Sequence, residues 1–254
     1  MFSDHPRCLY QSSPLAEVIC QIRFPGILSI EAGIPSDFQD AIREEYPEFQ
    51  RRTDLQGLTG VQPGDSNRVN YQFSTPDGAW RINLTCNFIA FSTNRYTRWE
   101  EFARRLDLPL AAFIQIYKPA WFERVGLRYL NFFSRQELGL AGVPYRELFR
   151  PCYLGPLMED EVAEQNVSRC TVDTELSLRG GCRARLHAGP GLIRKIGSPL
   201  QEVRFIFDQD LYMPGKLPVQ YTTGALNTLH HQADSLFRGA ITDRLHDAMG
   251  PQFI

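Results

Sequence analysis

Apolar and polar residues alternate most regularly near the middle of the chain, in the segment Glu123–Ser134. Here Val125, Leu127 and Tyr129 alternate with two arginines and a glycine, and the apolar run Leu130–Phe133 follows. Alternation with a period of two residues indicates a β-strand that buries one of its faces. We therefore predict that this segment forms a central strand, against which two similar halves of the chain are arranged.

The first half combines the same alternation with signals for turns and helices. Pro25-Gly26 ends a first predicted strand, and Thr75-Pro76-Asp77-Gly78 is a favourable turn between two later strands. In chain order, the predicted elements are a strand at 17–24, a helix from Ser36 that stops before Pro47, a polar loop at 51–67, strands at 68–74, 79–86 and 87–93, and a helix from Trp99 that continues brokenly past Pro109 to Ile116.

The second half repeats this order. A loop of roughly twenty residues, long enough to favour a functional or disordered role, carries the acidic run Glu159-Asp160-Glu161. The other predicted elements are strands at 123–133, 170–178, 182–187 and 202–210, a short helix at 145–149, turns at 179–181 and 189–191, and a long helix at 223–249 that Gly250-Pro251 ends.

Each half thus reads as strand, helix, three-stranded meander, helix, which predicts the α+β class. We expect two similar βαβββα halves, residues 1–118 and 119–254, with antiparallel sheets covered by helices on one face. One continuous domain is the alternative to two halves. Duplication of an ancestral unit and independent use of a common order of elements both explain the repeat.

Charge and composition exclude few classes of protein. The chain has 254 residues and a net charge of −2, so its overall charge does not favour nucleic acid or an anionic membrane. The first residues, MFSDHPRCLYQSS, contain no apolar segment of a secretory signal, and the apolar run near Leu108–Tyr117 is too short to span a membrane. Six cysteines without a C-x-x-C pair read as reduced thiols, and we predict a cytoplasmic protein.

Polar residues that alternate with the apolar ones are expected to collect on the opposite face of the strands. Arginine far outnumbers lysine in this chain, and its planar guanidinium suits bidentate contact with carboxylates and phosphates. A water-facing sheet held by cross-strand ion pairs is the alternative to a binding groove. The candidate residues for binding a ligand or partner are Arg23, Arg81, Arg124, Arg128, Asn131, Arg183, Arg185 and Arg204.

Motifs for catalysis are not found. No G-x-S-x-G, H-E-x-x-H, Walker-type or G-x-G-x-x-G pattern occurs, so no catalytic residue and no cofactor is predicted, and an enzyme is the less favoured reading. Asp208 and Asp210 point the same way along one predicted strand and are weak candidates for sharing a divalent ion. One cluster of arginines and aromatic residues, at 95–105, is diluted by acidic residues, so binding to nucleic acid is not expected.

Four landmarks occur in order along the chain: SPLAEVICQIRF, ERVGLRYLNFF, FIFDQDLY and SLFRGAITDRLHDAMG. Together they resemble a sporadically distributed family of uncharacterised bacterial proteins, whose members share PL-x-EV, R-x-GLRY-x-N, D-x-D and F-x-x-x-IT motifs. The resemblance implies no established catalysis or cofactor. The patchy distribution of that family implies genes carried with mobile or defence loci, and hence phage defence or a toxin–antitoxin role. The matching residues are Arg124, Gly126, Leu127, Arg128, Tyr129, Asn131, Phe237, Ile241 and Thr242.

Two hypotheses follow. The first is a non-enzymatic sensor or adaptor of a bacterial defence-type system, which contacts a protein from the same operon or from an invading phage through the polar sheet face and the long loops. The second is a receptor or enzyme for a small phosphorylated ligand in an Arg-lined groove. It would use Arg23, Arg124, Arg128 and Arg183 as anion contacts and Asp208 and Asp210 for a metal. The sequence predicts no oligomeric state.

Overall fold

A computed structural model describes residues 2–3, 6–52, 69–194 and 201–253. Five α-helices and several short 3₁₀ turns accompany eleven strands in these ranges. The helices are α1 (Leu28–Ala32), α2 (Ser36–Ile42), α3 (Trp99–Tyr117), α4 (Thr222–Ala240) and α5 (Asp243–Ala248). The strands are β1 (Cys8–Tyr10), β2 (Leu15–Arg23), β3 (Glu48–Arg52), β4 (Asn70–Ser74), β5 (Trp80–Leu84), β6 (Phe88–Thr93), β7 (Phe122–Phe133), β8 (Val172–Ser177), β9 (Arg183–Arg194), β10 (Gln201–Leu217) and β11 (Pro251–Phe253).

Nine strands form one sheet in the order β3-β4-β5-β6-β2-β7-β10-β9-β8, and β1 pairs with β11. The strand pairs whose registers are described are antiparallel. The predicted α+β class with an antiparallel sheet is therefore confirmed. Within the described residues, no helix has both the length and the apolar character needed to cross a membrane.

Contacts divide the chain into two compact units. Unit 1 comprises Met1–Ala16, Arg128–Leu211 and Thr228–Ile254, and unit 2 comprises Glu17–Leu127 and Tyr212–Asn227. Each unit takes residues from both sides of position 118. The two halves in chain order, 1–118 and 119–254, and their origin by duplication stay predictions.

Unit 2 builds its core between helix α3 and the apolar side of its strands. The ring of Phe113 on α3 lies 4.6 Å from that of Phe24, and Phe102 lies 5.2 Å from Phe91 on β6. This cover arises because apolar residues recur at helical spacing along α3 and at alternate positions along the strands. On β2, Val18, Cys20 and Ile22 are buried on this side, and Ile19 and Gln21 are buried on the opposite side of the strand.

Helix α3 continues through Pro109, where the sequence predicted a break. Proline has no N–H and cannot donate to the carbonyl of Arg105, four residues earlier. The hydroxyl of Tyr46 donates to that carbonyl at 3.4 Å. A side chain from outside the helix thus takes the place of the missing backbone donor.

Unit 1 builds its core from stacked aromatic rings. Phe149 lies 3.8 Å from Phe205 of β10, and Phe133 of β7 lies 5.9 Å from Phe237 of α4. On β9, the alternate residues are small or aliphatic and fully buried, which lets the strand pack closely. These residues are Ala184, Leu186 and Ala188.

Two predicted elements of unit 1 are wrong. Gly189-Pro190-Gly191 was expected to turn, but these residues lie inside β9. A Cβ on Gly189 would lie 2.2 Å from the carbonyl oxygen of Cys170, and the φ of Gly189 is +153°, so glycine is required by a close approach of the backbone. The last helix was expected to run unbroken to Met249, but it ends at Ala240 and restarts at Asp243.

The break between α4 and α5 has a clear cause. Ile241 forms an isolated β-bridge with Phe149, and Thr242 accepts a hydrogen bond from the backbone N–H of Leu245 as the N-cap of α5. The Thr242 hydroxyl also donates to the carbonyl of Glu147 at 2.7 Å. At the break, the carbonyl of Ala240 accepts from the N–H of Arg150 and the N–H of Thr242 donates to the carbonyl of Leu148, so these backbone groups have partners in a neighbouring segment.

Several further elements differ from the predicted ones. The helix predicted at 145–149 is a 3₁₀ turn, Tyr145–Glu147, and three more 3₁₀ turns occupy the long acidic loop. Strands β1, β3 and β11 and helix α1, each of at most five residues, were not predicted. The loop predicted at 51–67 lies outside the described residues except for Arg51 and Arg52, which belong to β3.

Candidate binding surface

Charged side chains gather on the side of the unit 1 strands that faces away from the aromatic core. On β10, Phe205 and Phe207 are buried, and the alternate residues Arg204 and Asp208 lie on the opposite side of the strand. The same alternation holds on β9. We call this surface the unit 1 polar face. It comprises Arg128 of β7, Asp173 and Glu175 of β8, Arg183, Arg185 and His187 of β9, and Arg204, Asp208 and Asp210 of β10.

A fork-to-fork ion pair joins β7 to β10 on this face. The Nε of Arg128 donates to Oδ1 of Asp208 at 2.7 Å, and Nη2 donates to Oδ2. The side chains are only 25% and 13% exposed. Two parallel charge-assisted hydrogen bonds fix both side chains and neutralise both charges.

Arg204 lies in a second cluster of charges. Its Nε donates to Glu202 at 2.8 Å and its Nη2 donates to Glu137 at 2.7 Å. Glu202 also accepts a hydrogen bond from the hydroxyl of Ser134. Arg204 is therefore held between two carboxylates, and its positive charge is compensated within the protein.

The outer two strands carry more exposed pairs. His187 lies opposite Asp173 with 2.6 Å between Nδ1 and Oδ1, and Arg185 lies opposite Glu175 at 3.5 Å. Arg183 lies opposite Ser177. Exposed pairs of this kind contribute little to stability, so their side chains can exchange partners at small cost.

The other three predicted arginines belong to unit 2. Arg81 pairs with Glu17 at 2.7 Å across the strands. The guanidinium carbon of Arg23 lies 5.9 Å from the centre of the Phe88 ring. The eight predicted binding residues are thus divided, with Arg23, Arg81 and Arg124 in unit 2 and the remainder in unit 1.

Arg124 lies flat along its own strand. Its Nη1 donates to Oε1 of Gln21 at 3.3 Å, and its guanidinium carbon lies 4.6 Å from the centre of the Tyr212 ring. A Cβ on Gly126 would lie 2.2 Å from that Nη1. Glycine at 126 therefore makes room for the guanidinium, a role that sequence reasoning missed although Gly126 stood in the central motif.

Asn131, predicted to bind a ligand or partner, lies on the core side of β7. It is 2% exposed, and its amide nitrogen donates to the backbone carbonyl of Phe207 at 3.1 Å. Position 131 shares its side of the strand with Tyr129 and Phe133, as alternation along the strand requires. The side chain links β7 to β10 inside unit 1 and is not part of the polar face.

The two aspartates considered for a metal do not form a cluster of ligands. Both oxygens of Asp208 accept hydrogen bonds from Arg128, and Asp210 lies two residues further along β10. In the part of the chain that the structure describes, no group of three or more His, Cys, Asp or Glu side chains could hold a metal ion.

In unit 1, therefore, Arg128, Arg185 and Arg204 of the polar face each contact a carboxylate of the same unit. The face presents both signs of charge at short spacing.

The chain matches no protein-family model, and neither a curated protein nor a solved structure matches it at a significant level.

Proposed function

We propose that this chain is a non-enzymatic binding protein, a sensor or adaptor, which contacts a protein partner through the unit 1 polar face. The observation that carries the proposal is the pairing of arginine with carboxylate on that face: Arg128 with Asp208, Arg204 with Glu202, and Arg185 with Glu175. A face of mixed charge is complementary to another face of mixed charge, and such complementarity gives selectivity and orientation in protein association.

The alternative, a receptor or enzyme for a phosphorylated ligand, has weaker support. Binding a phosphate requires positive charge that is available to the ligand, as in a cluster of arginines or a glycine-rich loop. On the unit 1 polar face, Arg128 and Arg204 are only 25% and 23% exposed, and each contacts a carboxylate. An anion would have to displace those carboxylates.

The biological setting is the part of the proposal that rests on resemblance alone. The landmarks shared with the sporadically distributed bacterial family favour a role in antiviral defence or in a toxin–antitoxin system. A partner encoded in the same operon, or by an invading phage, fits that setting.

Charge reversal at two exposed positions tests the proposal. Arg183→Glu/Arg185→Glu changes the polar face, whereas Arg43→Glu/Arg104→Glu places the same change at the C-cap of helix α2 and on helix α3 of unit 2 and serves as the matched control. Both Arg43 and Arg104 are well exposed, at 70% and 64%. We expect co-purification with quantitative mass spectrometry to find a protein that the wild type and the control retain and the R183E/R185E variant loses by about tenfold or more.

Two results would contradict this proposal. One is a wild-type protein that retains no partner, or whose partners are all retained by the R183E/R185E variant. The other is stabilisation of the wild type by a nucleotide or inorganic phosphate, measured as a rise in melting temperature that R183E/R185E removes. That second result would favour the phosphorylated ligand instead.

A further inference from the structure

Strand β8 ends the sheet on the side of unit 1. In the strand order it follows β9, and among the described strands no other neighbour lies beyond it. An edge strand presents a row of backbone N–H and C=O groups with which another strand can pair. Natural edges are commonly protected by charged side chains, lysine above all, by proline or by a bulge. The sequence of β8, VDTELS, contains neither lysine nor proline, and its six residues pair with β9 without interruption, so its two carboxylates are its protection of this kind.

The pairing of β8 with β9 fixes which backbone groups face the open edge. The N–H of Leu178 donates to the carbonyl of Cys182 at 2.8 Å, in continuation of the register that pairs Ser177 with Arg183. In an antiparallel ladder, hydrogen-bonded and non-hydrogen-bonded pairs alternate. Residues 172, 174 and 176 therefore bond to β9, and residues 173, 175 and 177 direct their N–H and C=O groups outward.

The side chains of β8 define what a pairing strand would meet. Asp173 and Glu175 lie on the polar face, with side chains that are 68% and 49% exposed. On the other side of the strand, Val172 and Leu176 are half-buried. A strand added beyond β8 would place its side chains about 5 Å from those of β8, and about 10 Å from the arginines of β9. Its nearest charges would be the two carboxylates.

We propose that the open edge of β8 binds an extended segment of a partner protein in which basic and apolar residues alternate. The segment would pair with the backbone of 173, 175 and 177, set its basic side chains beside Asp173 and Glu175, and set its apolar side chains beside Val172 and Leu176. This inference rests on the proposed function: the basic segment is the part of the partner that pairs with the β8 edge, and the arginines of the polar face contact the rest of the partner.

A second copy of the chain is a poorer occupant of the same edge. Antiparallel pairing of β8 with another β8 would bring Asp173 and Glu175 of each copy next to the acidic residues of the other. Like charges on opposing strands are destabilising. A basic segment removes that repulsion and adds favourable pairs.

Peptides of about eight residues, the length that spans a strand of this size, test the proposal with the full chain. The probe alternates lysine with valine, and the control peptide alternates glutamate with valine. Binding is followed by fluorescence anisotropy, and the site is located by amide hydrogen exchange. We expect binding of the lysine peptide alone, with exchange at residues 173, 175 and 177 slowed by about tenfold or more.

Two variants keep the test independent of misfolding. Glu175→Pro removes an outward N–H that β9 does not use, a position at which an edge strand tolerates proline. Asp173→Asn/Glu175→Gln keeps the backbone and removes both charges. We expect the first variant to lose binding and the second to lose the preference for lysine over glutamate peptides, both without change in melting temperature.

Several outcomes would overturn the inference: no binding of the lysine peptide, equal binding of both peptides by the wild type, undiminished binding by E175P, or protection at residues away from β8. Protection of 173, 175 and 177 that grows with protein concentration in the absence of peptide would assign the edge to a second copy. The proposed function fails separately, through the R183E/R185E variant. If a partner is lost by R183E/R185E but retained by E175P, only the binding of a segment to the β8 edge is refuted, and the proposed function stands.

Discussion

At the scale of single residues, Gly126 and Arg124 form a unit within β7. The guanidinium of Arg124 occupies the space that a side chain at 126 would need, and from there it contacts Gln21 and Tyr212. Gly126 has no positive φ, so its backbone conformation is open to other residues. The requirement for glycine therefore comes from the neighbouring side chain and not from the backbone.

This arrangement predicts that the cost of Gly126→Ala depends on Arg124. In the wild type, the new methyl group displaces the guanidinium and weakens its hydrogen bond and its ring contact, and we expect a loss of about 1 kcal/mol in the free energy of unfolding. In an Arg124→Ala background the same change should cost nothing or stabilise slightly, because alanine suits a strand better than glycine. Urea denaturation of the four proteins measures both values. Equal cost in the two backgrounds would show that the methyl group conflicts with something other than Arg124.

Sequence patterns predict on which side of a strand a residue lies, but they do not predict which residues it contacts. Alternation along β7 correctly separates Arg124 and Arg128 from the core positions, and applied strictly it also places Asn131 on the core side, with Tyr129. The partner of Arg128 could not be predicted in this way. Asp208 lies 80 residues further along the chain, and the register of β7 against β10 depends on packing that no local pattern encodes.

At the scale of elements, helix α3 and the last helix depart from their predicted forms for opposite reasons. Pro109 signals a break that does not occur, because Tyr46 donates to the carbonyl that the proline leaves without a partner. The apolar stripe of α4 and α5 continues through Ile241 and Leu245 and hides a break that does occur. Thr242, a favourable N-cap, is the one local signal of it.

The hydroxyl of Tyr46 should therefore matter only while residue 109 is proline. We expect Tyr46→Phe to lower the free energy of unfolding by about 1 kcal/mol, since the partly buried carbonyl of Arg105 loses its donor. In a Pro109→Ala background the loss should nearly vanish, because the alanine introduced there has a backbone N–H that can donate to the carbonyl of Arg105.

Chemical denaturation of the two single variants and the double variant measures this coupling. A double variant whose loss equals the sum of the two single effects would show that Tyr46 and Pro109 act independently.

At the scale of the whole molecule, the α+β class is predictable because the strand and helix periods differ and both are visible in the sequence. The order of the strands in the sheet cannot be predicted in this way. Five of the eight neighbouring pairs join consecutive strands, but the pairs β6–β2, β2–β7 and β7–β10 join strands that are separated by long stretches of chain. Pairing between distant segments depends on the fit of complete faces, which a local pattern does not specify.

The dependence of stability on pH is also a property of the whole molecule. Asp234 on α4 is a group whose pKa shift contributes to that dependence. Burial raises the pKa of this carboxyl above its usual value, while Arg7 and His231 lower it in part. The pKa of Asp234 is therefore higher in the folded chain than in the unfolded chain, and protonation of Asp234 stabilises the fold. This stabilisation is complete below the unfolded pKa of about 3.9 and is lost as the pH rises through the folded pKa.

We therefore expect Asp234→Asn to melt at a higher temperature than the wild type at pH 7, since the amide carries no charge to desolvate. The difference should shrink as the pH is lowered and vanish in acid, where the carboxyl is protonated. Thermal denaturation across a pH series measures it. A difference that stays constant with pH would show that the carboxylate charge is not its cause.

The pairing of β1 with β11 has a mechanical consequence. The register sets Cys8 opposite Phe253 and Tyr10 opposite Pro251, so Cys8 and Phe253 lie at the same end of this short ribbon. A pull that separates Cys8 from Phe253 would load the ribbon one residue pair at a time instead of shearing all three pairs together. Under such tension, the ribbon would therefore open by peeling from the Cys8–Phe253 pair.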